Sequence, residues 1–409
     1  IEAAMRRFLA FTDARTSPWV QALKSKKDGK ASEALDKADK MGEAYLLYIS
    51  NYYHQLAQKT EEETKDAEKA KTYYGKAVAD YEEFMRRWPN AKKTYVVSFY
   101  AAEIYYDFLK DFDKARKAYE RTIRLDPEGE FLEDAALGVI YSTEELMRNK
   151  RACWLDKDQK WVERPDCPPL VASVAGDGVK VTKFKTAKKE ELTEEQIKGA
   201  NLPKQRQELH ELEKSYVAAA DKYVELMEKS KEGCAKGNKK LCGKGKKVPE
   251  IMYLAASAYY DRGQYKEEIG GYERVYKYQE DNKVAEIAVK TLIDIYARLK
   301  EWPKIEEWAE LMLKRKSRLI LDAKDLKKYV AVSVAEQAKE LADKKDYDGA
   351  HAKYDKILAR FKQEEPELAA VALYNKGLIY ELQQQDKTAI DTYARVVKEF
   401  PKSKVAQEA

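Results

Sequence analysis

Small, aromatic and apolar residues recur along the chain at one spacing. Near its end Gly377 is followed by Tyr380, and Ala389 by Tyr393, Val396 and Pro401. Leu373 to Pro401 therefore reads small, aromatic, turn, small, aromatic, apolar, proline, which predicts two amphipathic helices joined by a tight turn. Gly377 and Ala389, twelve positions apart, let the two helices touch, and Tyr380 and Tyr393 fill the groove beside that contact. Pro401 ends the second helix, because it has no N–H and clashes with the preceding turn.

The register recurs upstream. Ala338, Leu341, Ala350, Tyr354 and Ile357 repeat it, with Asp346 and Tyr347 in the turn. Ala256, Tyr259, Gly263, Tyr272 and Val275 repeat it with Glu268 in the slot usually held by Ala. Ile293, Tyr296, Trp302, Ile305 and Met312 form a degenerate copy. Tyr106, Ala115, Tyr119, Thr122 and Pro127 fit with Glu103 where a small residue is expected. Ala77, Tyr81, Phe84 and Pro89 give a second helix whose partner, Gly42 to Gln58, is separated from it by the charged loop Lys59 to Asp66. Gly138 and Tyr141 give one more first helix.

This pattern resembles the tetratricopeptide repeat, whose period is about 34 residues. The resemblance covers residues 42–149 and 250–409. It implies an all-α chain, a right-handed superhelical solenoid of antiparallel helix pairs, and partner binding on the concave face lined by the first helix of each pair. On that register Asn51, Tyr95, Asn375, Lys376 and Ile379 are expected to face the groove, Asn375 foremost because its amide pairs with a peptide backbone. The tail Val397 to Ser403 ends in Phe400-Pro401-Lys402-Ser403 before an Ala-spaced helix, and Arg86 to Ala91 is a variant of it. Such endings resemble the repeats of bacterial cell-envelope proteins. They imply a periplasmic or outer-membrane-associated protein working in outer-membrane assembly, secretion, division or surface motility.

Between Lys150 and Pro203 the repeat stops, and helical spacing resumes over Lys204 to Lys231. The chain accordingly divides into 1–149, an insertion at 150–203, a long helix with a basic loop at 204–249, and 250–409. A structureless stretch of that length is improbable inside an array, so the insertion is expected to have its own structure or a function. Trp154-Leu155 and Trp161-Val162 are spaced to pair as a hairpin, Val179 to Phe184 reads as extended, and Glu190 to Lys198 as a turn or two of helix. Trp154 and Trp161 are either a binding hot spot or a miniature core. All four cysteines, Cys153, Cys167, Cys234 and Cys242, lie outside the repeats. There is no Cys-x-x-Cys and no nearby His, so disulfides are expected rather than zinc. Pairing 153 with 167 and 234 with 242 is the simplest of three connectivities, and it implies an oxidising compartment.

Composition adds little that the pattern has not claimed. The 29 Tyr suit grooves with a wet rim, and the 36% of charged residues suit broad solvated faces. Net charge is only +5, which gives no field for gripping nucleic acid. One stretch departs from that balance: Lys229 to Lys247 holds eight lysines, among them Lys236, Lys239, Lys240, Lys244, Lys246 and Lys247, and one acid, Glu232. It reads either as a solvated loop or as a contact for peptidoglycan or another anionic surface. His54, His210 and His351 are far apart, and no hydrolase or nucleotide motif survives inspection. Gly237 to Lys244 imitates a phosphate loop with the wrong spacing and no preceding strand. The expectation is a non-enzymatic scaffold without cofactor or metal, with no transmembrane segment, holding protein partners of an envelope complex. Ile1 falls within a helical pattern running to Phe11, so the full-length protein is expected to begin earlier and to be exported.

Overall fold

The computed structural model describes residues 1–26, 29–150, 152–155, 160–163, 208–260, 262–315 and 318–408. Among these it comprises sixteen α-helices and one two-stranded hairpin. The chain divides into two compact units, the second beginning at Met252 and running to Ala409.

The first unit opens with α1 (Glu2–Phe11) and α2 (Pro18–Ser25), followed by α3 (Gly29–Thr64) and α4 (Ala67–Arg87). Then come α5 (Thr94–Glu103), continued by a π-helical turn (Ile104–Phe108), α6 (Phe112–Leu125), α7 (Leu132–Asn149) and, beyond the insertion, α8 (Glu211–Ala235). Helices pack pairwise, α3 on α4, α5 on α6 and α7 on α8. α9 (Val248–Tyr260) starts in this unit and continues into the second. There α10 (Tyr265–Tyr278), α11 (Lys283–Leu299), α12 (Trp302–Leu313), α13 (Ala323–Asp343), α14 (Tyr347–Phe361), α15 (Pro366–Leu382) and α16 (Asp386–Glu399) alternate in the same way.

The turn inside each pair is built to one plan. Lys65, Lys110, Gly263, Lys300, Lys345 and Gln384 all carry positive φ, between 53° and 63°. The amide of the very next residue closes the preceding helix: Gln264 N–H donates to the Tyr259 carbonyl, Glu301 to Tyr296, Asp346 to Leu341 and Gln385 to Tyr380. This is the helix-ending arrangement in which a left-handed residue lets the chain satisfy the last carbonyls. The residue after the joint then starts the second helix. Asp66, Asp111 and Asp346 accept from Lys69, Lys114 and Gly349 amides at 3.0, 3.2 and 3.0 Å. At the α5–α6 joint the closing bond spans one residue more, Asp111 to Tyr105, because the π-helical turn holds an extra residue.

The tyrosine excess is a buried slot in the second helix of the pair. Tyr81, Tyr119, Tyr272 and Tyr354 are all inside, and each sends its hydroxyl to a polar group on a first helix. Tyr81 donates to Asn51 Oδ1 at 2.8 Å and Tyr119 donates to Glu103. Tyr272 shares a 2.9 Å hydrogen bond with Ser257, and Tyr354 is hydrogen-bonded with Asn375. Glu103, which looked out of place in a small-residue slot, is there to meet that hydroxyl.

Three readings of the sequence need correction. The stretch Lys59 to Asp66 is not a loop: α3 runs to Thr64, its end held by a Lys59–Glu63 ion pair and by Tyr74 donating to Glu61. Charges spaced one turn apart read as a loop but support a helix equally well. The helix after the insertion starts at Glu211 rather than Lys204, where His210 and Glu213 form a capping box. It extends to Ala235, past the expected end. The hairpin does form, with Trp154 opposite Val162 and Leu155 opposite Trp161. The expected extended segment at 179–184 and the helix at 190–198 lie outside the described residues, as does Cys167.

Candidate functional site

Burial on α3 follows one side, Leu46, Ile49, Tyr53 and Ala57. The opposite side carries Tyr48, 57% exposed, Asn51, and Tyr52, 49% exposed. On α5 the same side carries Tyr100, 38% exposed, then half-buried Glu103 and, within the π-helical turn, exposed Asp107. α3 and α5 meet where the His54 ring stands edge-on to the Tyr100 ring with centroids 5.9 Å apart. Asp134 at the start of α7 extends the same wall. It and Asp107 both push Glu103 above the ordinary carboxylate range, adding to the larger effect of burial. Asp107 is also raised by desolvation, with Lys110 acting against it. Glu103, Asp107 and Asp134 thus lie close together beyond Tyr100, while Tyr48 and Tyr52 are exposed on another side of α3.

The residues picked from sequence are distributed unevenly. Asn51 is on this wall, with its carbonyl taken by Tyr81. Tyr95 is not a groove residue: its ring stacks on Phe131 at 5.7 Å and its hydroxyl accepts the Phe131 amide at 2.8 Å. In the second unit Asn375 is half-buried against Tyr354, and Lys376 donates to Asp355 at 2.6 Å. Ile379 is wrong as a groove residue, being 4% exposed within the core. The exposed apolar positions of α15 are its neighbours Leu378 and Leu382. The side chains of Trp154 and Trp161, and the Cys153–Cys167 pairing, lie outside the described residues.

The tetratricopeptide-repeat family model matches residues 97–129, which span α5 to the end of α6, and 371–403, which span α15 and α16. Those two stretches are tetratricopeptide repeats. Among solved structures it is similar to the P58(IPK) tetratricopeptide-repeat domain at 13% identity, covering 86% of this chain and 84% of that one, with a TM-score of 0.23. It is similar to the human IFIT1 dimer with PPP-AAAA at 14% identity, covering 100% and 83%, with a TM-score of 0.22. Yeast Tom70 aligns at 11% identity over 86% and 69%, with a TM-score of 0.20. Overlays at these TM-scores carry nothing about this chain's ligands. No curated protein matches the sequence.

Between α3 and α5 His54 is the switchable group. It faces Tyr74, Tyr81 and Tyr100, and its Nδ1 lies 3.1 Å from the Tyr81 hydroxyl. Burial lowers its pKa below the ordinary value. The unfolded chain therefore binds this proton more readily, and stability falls as pH drops below about 6.5. Raised carboxylates such as Glu103 work in the opposite sense, so the test is a difference. Between about pH 7.5 and pH 5.5 the wild type should lose more of its Tm than His54→Gln. Equal losses would remove His54 as the cause.

The basic loop is not an open, self-repelling segment. Cys234 and Cys242 are disulfide-bonded, Leu241 is buried, and Gly237, Gly243 and Gly245 take positive φ. Asn238 donates to Glu128 at 3.0 Å, Lys244 to the Glu130 carbonyl at 2.8 Å and the Gly245 amide to Glu133 at 3.0 Å. Lys247 donates to the Tyr141 hydroxyl at 3.0 Å. Lys236, Lys239, Lys240 and Lys246 are left exposed on this frame. Replacing both cysteines by serine should remove about 2.5 kcal/mol of loop-closure stabilisation and speed tryptic cleavage at Lys239 and Lys240. Cleavage at the wild-type rate would show that the other anchors suffice.

Among the described residues no cluster of three or more His, Cys, Asp or Glu is placed to hold a metal ion. No described helix is long and apolar enough to cross a membrane.

Proposed function

We propose that this chain is a non-enzymatic scaffold of a bacterial envelope complex, exported to the periplasm and gripping protein partners by the first-helix wall of its repeats. The repeats make it a protein-interaction scaffold. The observation that carries the site is the exposed pair Tyr48 and Tyr52, one turn apart on α3, because large rings left in water on a rigid helix are the side chains that anchor partners. The Cys234–Cys242 bridge supports export, since such bonds persist in oxidising compartments. The Phe400-Pro401-Lys402-Ser403 ending supports the envelope assignment.

The test is capture from envelope extract with wild type and with Tyr48→Ser/Tyr52→Ser, which alters exposed rings only. Loss of a defined partner in the variant is the expected result, and unchanged recovery excludes the wall. For the compartment, native protein from the producing cell should resist alkylation at Cys234 and Cys242 until reduced.

A second reading, association with peptidoglycan or another anionic glycan, is favoured by the rigid presentation of Lys236, Lys239, Lys240 and Lys246. Salt-sensitive pelleting with purified peptidoglycan, abolished by Lys239→Glu/Lys240→Glu, is its expected signature. Absence of pelleting would dispose of it.

A further inference from the structure

We propose that the exposed side of α16 is a dimerisation face, on which a second copy of this chain lays its own α16 antiparallel. This face belongs to the second unit alone and is independent of what the first unit binds.

The second helix one pair earlier shows what is unusual about this surface. Ala350, Tyr354 and Ile357 of α14 recur as Ala389, Tyr393 and Val396 of α16. In the same register His351, Asp355 and Leu358 give way to Ile390, Ala394 and Val397. On α14 those three positions are covered by α15. His351 stacks on Tyr380 with ring centroids 4.2 Å apart, Asp355 accepts from Lys376 at 2.6 Å, and Leu358 packs against the cluster that includes Ala369, Ala370 and Leu373. On α16 the same positions are in water: Ile390 is 66% exposed, Val397 is 46% exposed, and Ala394 is exposed between them. A polar, polar, apolar set under cover is thus replaced by three apolar residues left open. Residues that served only to face solvent would show the opposite change.

The order of the three selects the occupant. Ile390, Ala394 and Val397 stand at i, i+4 and i+7, so they form one stripe along the helix. Read in either direction the stripe is a branched apolar residue, an alanine and a branched apolar residue. It is therefore its own complement. In an antiparallel pair about a two-fold axis Ile390 meets Val397 of the second copy, and the two Ala394 meet at the axis, where their small side chains let the helices approach. α15 already lies antiparallel on α14, with Tyr380 on His351 and Lys376 on Asp355. The edge of the stripe adds charge complementarity. Asp391 and Lys398 are both exposed, each one position beyond a stripe residue and on the same edge. The antiparallel pair brings each Asp391 opposite Lys398 of the other copy, which makes two equivalent ion pairs. Arg395, nearest the axis, is neutralised by Glu399 at 2.9 Å. One helix from each copy buries less than a standard interface, so the dimer is reversible.

The experiment is sedimentation equilibrium on the full-length chain over about two decades of concentration. The wild type should pass from one chain to two as concentration rises. Ile390→Glu/Val397→Glu, at exposed positions, should stay monomeric throughout and unfold at the midpoint of the dilute wild type. Asp391→Lys and Lys398→Asp, which set like charges opposite one another, should each weaken dimerisation at least about tenfold. Mixed in equal amounts, the two single variants should associate more tightly than either does alone, because each then meets its opposite charge across the interface. Only the antiparallel register gives that rescue. A wild type that is monomeric throughout, a dimer that survives Ile390→Glu/Val397→Glu, or a mixture that gains nothing overturns the proposal. A lowered midpoint in Ile390→Glu/Val397→Glu overturns it too, because the stripe would then be packed within one chain.

Discussion

Glu286→Ala should cost the second unit about 3 kcal/mol and open the segment between α12 and α13. Glu286 sits on α11 at 1% exposure, and its two carboxylate oxygens accept three consecutive backbone amides: Leu319 at 2.8 Å, Ile320 at 2.8 Å and Leu321 at 3.1 Å. Those amides precede α13 and have no helix of their own to satisfy them. Hydrogen bonds to a charged acceptor are each worth more than a neutral one, and a buried carboxylate is tolerable only when so fully bonded. Removing it costs the bonds and leaves a void. Hydrogen exchange gives the reading: amides 319–321 should lose protection well before the core of α11. Glu286→Gln, retaining one acceptor oxygen, should fall between. Unchanged protection in the alanine variant would mean that chain packing around Leu321 and Leu326, not the carboxylate, holds this segment.

The same substitution should have opposite signs at two glycines. At Gly138 an added Cβ would stand 2.6 Å from the Tyr119 ring, nearer than real contacts allow. Tyr119 cannot retreat, because its ring is buried in the core and its hydroxyl is committed to Glu103. Gly138→Ala should therefore destabilise by about 1–3 kcal/mol, the usual range for overpacking. At Gly75, midway along α4, nothing lies within 4 Å of the added carbon. Gly75→Ala should stabilise by about 0.5–1 kcal/mol through helix propensity alone. Urea unfolding of the two variants beside wild type checks the pair. A shift of the same sign in both would mean that α7 slides to admit the methyl and that contact there is looser than the geometry states.

The comparison explains what the sequence can and cannot say here. Gly138, Gly377, Ala389 and Tyr393 carry the helix pairing because close approach demands small residues at fixed distances along the chain. That information is local. The solvent-facing positions are less legible, because they depend on which side of a helix the next pair covers. Ile379 and Leu378 are adjacent and chemically alike, yet one is in the core and the other outside. Only packing by neighbours distant in sequence separates them. Tyr95 failed for the same reason: Phe131, on the far side of a whole repeat, claims it. The exposed pair Tyr48 and Tyr52 left a usable signal, two rings one turn apart opposite the Leu46 and Ile49 side of the same helix. The left-handed joints left almost none, since lysine holds four of them where glycine would have announced the turn.

The π-helical turn at Ile104–Phe108 has a consequence for how this wall tolerates length change. It behaves as a single-residue insertion absorbed on the spot: the α5–α6 joint closes over one extra residue, while the helix pairs on either side keep their register. Deleting one residue there should restore a plain helix and a joint like its sisters, leaving the fold intact. It would also rotate Asp107 by about 100° relative to Tyr100 and take it off the wall. The irregular turn thus acts as an angular shim, setting the bearing of one carboxylate independently of the scaffold that carries it.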